Sequence, residues 1–183
     1  MVAYSKGMAP GTQAPEFSLP GVDGKTYALE TFADADALVV VFTCNHCPYA
    51  QAVEARLIEL QRDYQSRSVR LCAINPNDDK SYPDDSFEHM VARAKDKGFN
   101  FPYLRDASQT VARAYDAACT PDIFLFDRAR KLVYNGRLDD NWKEPDKVKT
   151  HDLRRALDAV LEGRPLGFEP VASMGCSVKW KAA

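Results

Sequence analysis

Apolar residues recur along the chain with two periods, and their alternation lays out the elements. Leu38 to Phe42 is an unbroken apolar run with β-branched residues at its centre, the pattern of a strand buried on both faces. Directly after it, Val53, Leu57, Leu60 and Tyr64 recur at spacings of four, three and four, which predicts a helix over about 46–66. Pro48 falls in its first turn, where a missing amide hydrogen costs little. Val69 to Ile74 reads as a second apolar strand containing Cys72, and the Pro- and Asp-rich stretch that follows reads as a solvated loop. Phe87, Met90, Val91 and Ala94 mark a helix closed by Gly98, and Phe101 to Leu104 a short strand. Asp106 and Gln109 have the spacing of a capping box for a helix bearing Val111 and Tyr115. Ile123 to Phe126 and Leu132 to Tyr134, joined by a polar turn, predict a hairpin. Leu153, Ala156, Leu157, Val160 and Leu161 predict a last helix over about 151–162, between Thr150 and Gly163.

Near the start of the chain, Phe17 and Leu19, the turn signal Asp23-Gly24, then Tyr27 and Leu29 predict a short extended pair. Strands that alternate with helices and end in a hairpin imply an α/β fold. Its mixed central sheet carries helices on both faces, and its early strands run parallel through right-handed crossovers. We expect one domain over 1–183, with a core of about 10–163 that includes the N-terminal hairpin extension. The segment 164–183 has no clear periodicity or regular element. Phe168, Val171, Met174, Val178 and Trp180 nevertheless make it too apolar for a free linker, so it is expected as a C-terminal tail packed on the core.

With 183 residues and 45% hydrophobic composition, such a domain buries roughly two thirds of its unfolded surface and needs no disulfide staples. The 24 basic and 26 acidic side chains form no long blocks, which excludes the electrostatic footprint of a nucleic-acid or anionic-membrane partner. Partners are expected to be protein or small-molecule thiols and disulfides. The first residues lack the apolar centre of a signal peptide and no run reaches a membrane span, so a soluble cytoplasmic protein is expected. The five cysteines, an odd number, then read as reactive or buried thiols rather than a disulfide framework.

Cys44 and Cys47 form a Cys-x-x-Cys at the junction of the buried strand and the helix. First-turn amides and the helix dipole favour negative charge there, so the more exposed thiol is expected to ionise below the ordinary value of about 8.5. A low-pKa thiol beside a second thiol is a dithiol/disulfide switch. His46, immediately before the second cysteine, is expected to stabilise the thiolate when protonated, raising the potential from about −270 mV toward about −120 mV. The competing reading is half of a zinc or copper site, but no second Cys-x-x-Cys or His-x-His pair supplies the remaining ligands. Cys72 reads as a small apolar filler. Cys119 reads either as a packed thiol or as one capable of alternative pairing or metal capture, and Cys176 either as a third redox thiol or as a structural one. His89 and His151 are expected on the surface, and Arg137, Asp139 and Asp140 in a solvated turn.

The Cys-x-x-Cys after a buried strand, the intervening βα unit, and Thr120-Pro121 directly before a hairpin and closing helix resemble the thioredoxin superfamily over about 10–163. The A-P-E-F-S-L-P opening, Asp23-Gly24 and the extra helix near 86–97 resemble the branch that holds peroxiredoxins and TlpA- or ResA-type oxidoreductases. The Cys-Asn-His-Cys-Pro and Gly-Cys-Ser-x-Lys-Trp segments are similar to a peroxiredoxin-like thioredoxin group.

The resemblance implies a thioredoxin-like fold and thiol–disulfide oxidoreductase activity without an organic cofactor, driven by a cellular thiol reductant. It makes Cys44 the exposed nucleophile and Cys47 the resolving thiol. Thr120-Pro121 becomes a cis-proline loop offering backbone hydrogen bonds to a substrate peptide. Thr43 stands where thioredoxins carry tryptophan, and Asn45-His46 where they carry Gly-Pro. The strand lacks the buried carboxylate that takes a proton from the second cysteine, a role left to Asp78 or Asp79. The peroxidase alternative lacks its P-x-x-x-T-x-x-C signature: three residues after Thr43 stands His46, and three before Cys47 stands Cys44.

Overall fold

A computed structural model describes residues 1–182. The chain opens with β1 (Val2–Tyr4) and the antiparallel pair β2 (Ser18–Pro20) and β3 (Thr26–Ala28), the hairpin expected around Asp23-Gly24. The all-buried strand β4 (Ala37–Phe42) runs into α1 (Pro48–Tyr64), and β5 (Val69–Asn75) lies parallel to β4. Next come α2 (Phe87–Lys97), β6 (Tyr103–Arg105), α3 (Thr110–Ala114), the two-residue β7 (Cys119–Thr120), β8 (Asp122–Phe126), β9 (Leu132–Asn135), α4 (Asp152–Leu161) and β10 (Met174–Ser177).

The central sheet has the order β6-β5-β4-β8-β9, with β4, β5 and β6 parallel and the β8–β9 hairpin antiparallel to them. This is the mixed sheet that the alternation of periods implies. Successive side chains of a strand point to opposite faces, so β4 serves two cores at once. Ala37, Val39 and Val41 pack with residues of α1, α2 and α4, while Leu38, Val40 and Phe42 pack with α3 and the N-terminal hairpin. That double duty explains why β4 carries no polar residue.

Helix α2 ends at Gly98 as expected, although Met90 is its one buried residue and Phe87 and Val91 are 37% and 39% exposed. Two local expectations fail. Gln109 makes no capping box. It sits in a left-handed conformation, its side chain donates to the carbonyls of Pro76 and Lys179, and Asp106 takes over by accepting the Ala112 amide. The turn after β9 is not solvated, since Asp139 is buried against the guanidinium of Arg56.

The segment expected to lack regular structure contains β10. With β1 and β7 it forms a second, three-stranded antiparallel sheet in the order β1-β10-β7. Val178 and Lys179 continue the attachment through the Ala118 carbonyl and the Asn77 side chain, and Trp180 lies on Arg113, 4.4 Å from guanidinium carbon to ring centre. Gly175 makes the seating possible: a Cβ there would stand 2.0 Å from the Thr120 carbonyl oxygen. Gly175→Ala is therefore expected to cost about 1–3 kcal/mol, the range for overpacking, and to lower Tm by roughly 2–12 °C. An unchanged melting curve by circular dichroism would show that β10 does not sit this tightly.

Candidate dithiol site

The site is built where the parallel strands end. Phe42 is paired with Ile74, and the Thr43 amide donates to the Ile74 carbonyl, so the chain leaving β5 must pass beside the chain leaving β4. The first carries residues 75–86 and the second carries Cys44 to Cys47.

Asp85 ties the two together. Its side chain has no exposed surface; Oδ1 accepts the Asn45 amide at 2.6 Å, and Oδ2 accepts Asn77 Nδ2 at 2.8 Å and His46 Nδ1 at 2.5 Å. Asn45 is held from its other sides by Asp84, Gln51 and the Tyr103 hydroxyl. The His46 ring also stacks on Tyr82, with centres 4.9 Å apart. A buried carboxylate with these donors is well compensated, and losing any partner exposes it to a desolvation cost of about 1–3 kcal/mol.

Helix α1 begins at Pro48, one residue after Cys47, so Cys47 and not Cys44 is the N-cap. The expectation that Cys44 is the exposed thiol does not hold: Cys44 is 1% exposed and Cys47 fully buried. Cys44 Sγ lies 3.3 Å from Thr120 Oγ1 and Cys47 Sγ lies 3.1 Å from the Thr120 carbonyl oxygen. The Thr120–Pro121 peptide is cis.

The two thiols are shifted in opposite directions. A hydrogen bond from Cys44 holds Cys47 well below the ordinary thiol range against the opposing effect of burial, helped by Cys176 and the Ala50 amide of the first helical turn. Cys44 is pushed up as the donor of that bond, by burial, and by the negative charge of Asp85. The 3.1 Å contact to the Thr120 carbonyl belongs to the fully protonated pair, in which Cys47 is a donor. On ionisation that donor is given up and the surrounding donors hold the charge.

The remaining predicted residues divide. Thr43 is buried at the end of β4. Cys176, paired in register with Thr120, packs against Cys44, Cys47 and Ala50 and is the only half-exposed cysteine of the five. Cys119 is a packed thiol beside the carbonyls of Pro121 and Ser173, and Cys72 is sealed in the core; burial pushes both up. His89 and His151 are on the surface. Asp78 bonds to Ser81 and Asp79 pairs with Arg105, so neither takes the role proposed for it.

Sequence reasoning missed Asp85, which belongs to a stretch read as solvated loop. The available signal was topological, since a loop leaving the carboxyl end of a parallel strand faces the ligand-binding edge of the sheet. One ligand atom each from Cys44, His46 and Asp85 lie within 4.8 Å of one another. A cavity of about 220 Å³ abuts Pro121 between Val53 and Met174, and no cysteine lines it.

The sequence profile of the AhpC/TSA family matches residues 10–135. The chain belongs to the AhpC/TSA family. Within the thioredoxin superfamily this family places it among thiol-based redox enzymes. A crystal structure of an uncharacterized conserved protein from Geobacillus kaustophilus is similar at 45% identity and a TM-score of 0.95, over 100% of this chain and 98% of that one. A hypothetical protein from Sinorhizobium meliloti 1021 is similar at 43% identity and a TM-score of 0.92, over 98% and 99%. A putative thiol:disulfide interchange protein DsbE from Chlorobium tepidum shares the fold at 21% identity and a TM-score of 0.66, over 85% and 99%. Among curated proteins none matches the chain. No described helix is long and apolar enough to cross a membrane.

Because its pKa is lowered, the Cys47 thiolate is expected to persist in the reduced protein well below the ~8.5 of a free thiol. Its ultraviolet absorbance measures this, and Cys47→Ser should abolish the signal; a titration centred at the ordinary thiol value would contradict the assignment. Asp85→Asn removes the charge facing Cys44 and should raise the potential of the pair, while His46→Pro leaves that charge unpaired and should lower it. Each shift is expected at roughly 20–40 mV, the equivalent of about 1–2 kcal/mol, measured against glutathione. Shifts of the same sign would refute the electrostatic account.

Proposed function

We propose that the protein is a thiol–disulfide oxidoreductase that cycles Cys44 and Cys47 between dithiol and disulfide. The observation that carries this reading is the packing of the two sulfurs together at the start of α1, both against Thr120. Cys47, which holds the charge, acts as nucleophile; Cys44 resolves the mixed disulfide by giving up its proton and attacking the Cys47 sulfur. This reverses the order that the resemblance implies. His46, Thr43, Thr120 and Pro121 position or tune the pair. Electrons come from a cellular thiol reductant, and the odd number of cysteines fits a reducing compartment such as the cytoplasm.

A peroxiredoxin-like thiol peroxidase is the second reading, favoured by family membership. The groups that lower the Cys47 thiol are two cysteines, an amide and a threonine, with no arginine among them to polarise a peroxide. Metal capture by Cys44, His46 and Asp85 is less well supported, because zinc usually takes four ligands and both Asp85 oxygens already accept hydrogen bonds.

Two assays on the full chain separate these readings. Reduction of a small aromatic disulfide should proceed in the wild type and fall by about 10²-fold or more in Cys47→Ser and Cys44→Ser, since neither can complete the cycle. Hydrogen peroxide consumption with a dithiol reductant should be far slower. Rapid peroxide turnover with negligible disulfide exchange would replace the first reading by the second.

A further inference from the structure

Strand β10 lies along β7, the edge that ends in Thr120-Pro121. Its register sets Cys176 opposite Thr120 and Ser177 opposite Cys119, and pairing stops where Pro121 offers no amide. An extended peptide recognised by strand addition would need this edge. The opposite edge of β10 is taken by β1, so the three-stranded sheet closes over the sulfurs. The cover is fixed rather than loose: Gly175 allows van der Waals approach to Thr120, the Lys179 amide and carbonyl are bound by Asn77 and Asp78, and Gln109 fastens Lys179 and Lys181.

Beneath this strand Cys44 and Cys47 are sealed from water, and the thiol that water reaches is Cys176, packed directly on them. A redox pair without a surface must exchange electrons through a neighbour that has one.

We propose that Cys176 is a third catalytic thiol, the port through which the buried Cys44/Cys47 pair exchanges electrons with low-molecular-weight thiols and disulfides. The proposal rests on the dithiol reading above and adds to it the substrate class and the route. Protein substrates docking as strands are excluded, because the chain's own strand holds their place. Taken in the oxidising direction, Cys176 attacks one sulfur of a small disulfide, and the small half that leaves takes its proton away as a thiol. The Cys47 thiolate then attacks the Cys176 sulfur, forming a Cys47–Cys176 bond and expelling the second half as a thiolate. Finally Cys44 attacks the Cys47 sulfur and gives its proton to the departing Cys176. The protein ends with a Cys44–Cys47 disulfide and a regenerated Cys176 thiol, and two electrons have passed to the small disulfide.

The test oxidises the reduced full-length protein with glutathione disulfide, quenches with alkylating reagent at intervals, and maps bridged peptides by mass spectrometry. In Cys44→Ser the final step is blocked, and the Cys47–Cys176 bridge should accumulate as the main product. In Cys176→Ser, and in Cys176→Ala as a check on folding and polarity, formation of Cys44–Cys47 should slow by about tenfold or more. Serine keeps a hydroxyl to donate to Cys47 and alanine does not, so equal slowing in both variants, which a role confined to tuning Cys47 would not predict, marks the loss of the port. Wild-type oxidation rates in both Cys176 variants, or a Cys44→Ser protein that never bridges Cys47 to Cys176, would overturn the port while leaving the dithiol reading intact. A wild-type protein that never forms Cys44–Cys47 would overturn both.

Discussion

A single carboxylate without exposed surface sets the shape of this site. Asp85 accepts hydrogen bonds from the backbone and side chains of the segment between the two cysteines, and from an asparagine of its own loop. A charge held in this way is stable only while every donor stays in place. The bend between Cys44 and Cys47, the stacking of His46 on Tyr82, and the wedge of Asn45 under Tyr103 are thus parts of one polar network. The same charge faces Cys44 and helps to decide which sulfur carries the thiolate. Geometry and electrostatics of the pair share one origin.

The N-cap position of Cys47 completes the asymmetry. Pro48 has no amide to offer, and the first helical amides near the Cys47 sulfur belong to residues farther along. The helix therefore addresses one sulfur only. The other lies three residues upstream, between Thr120 and Asp85, where a neutral thiol is favoured. Two cysteines close in sequence come to differ because only one touches a helix end.

Much of the fold was legible in the chain. The apolar run Leu38 to Phe42, the spacing of Val53, Leu57, Leu60 and Tyr64, and the late hairpin each correspond to an observed element, and their order implied the mixed sheet. What the pattern could not carry was long-range pairing. Strands β1, β7 and β10 are two to four residues long, too short for alternation to register, and each is defined by partners more than fifty residues away. The site was half legible for the same reason. Cys44, Cys47 and Thr120-Pro121 announce themselves by local spacing, whereas Asp85 is indistinguishable in sequence from its exposed neighbour Asp84. Burial of Asp139 by Arg56 and diversion of Gln109 to the tail follow from tertiary contacts that local rules do not see.

The β1-β10 pairing joins residues 2–4 to residues 174–177. Contacts spanning so much chain form late, because the entropy of closing a long loop must be met before they contribute. During synthesis the central sheet and α1 can assemble, thiols included, while β1 waits without a partner and the sulfurs stand open to the medium. Only after residue 177 has emerged can the roof close. The nascent protein thus passes through an interval in which its most reactive groups are also its least guarded.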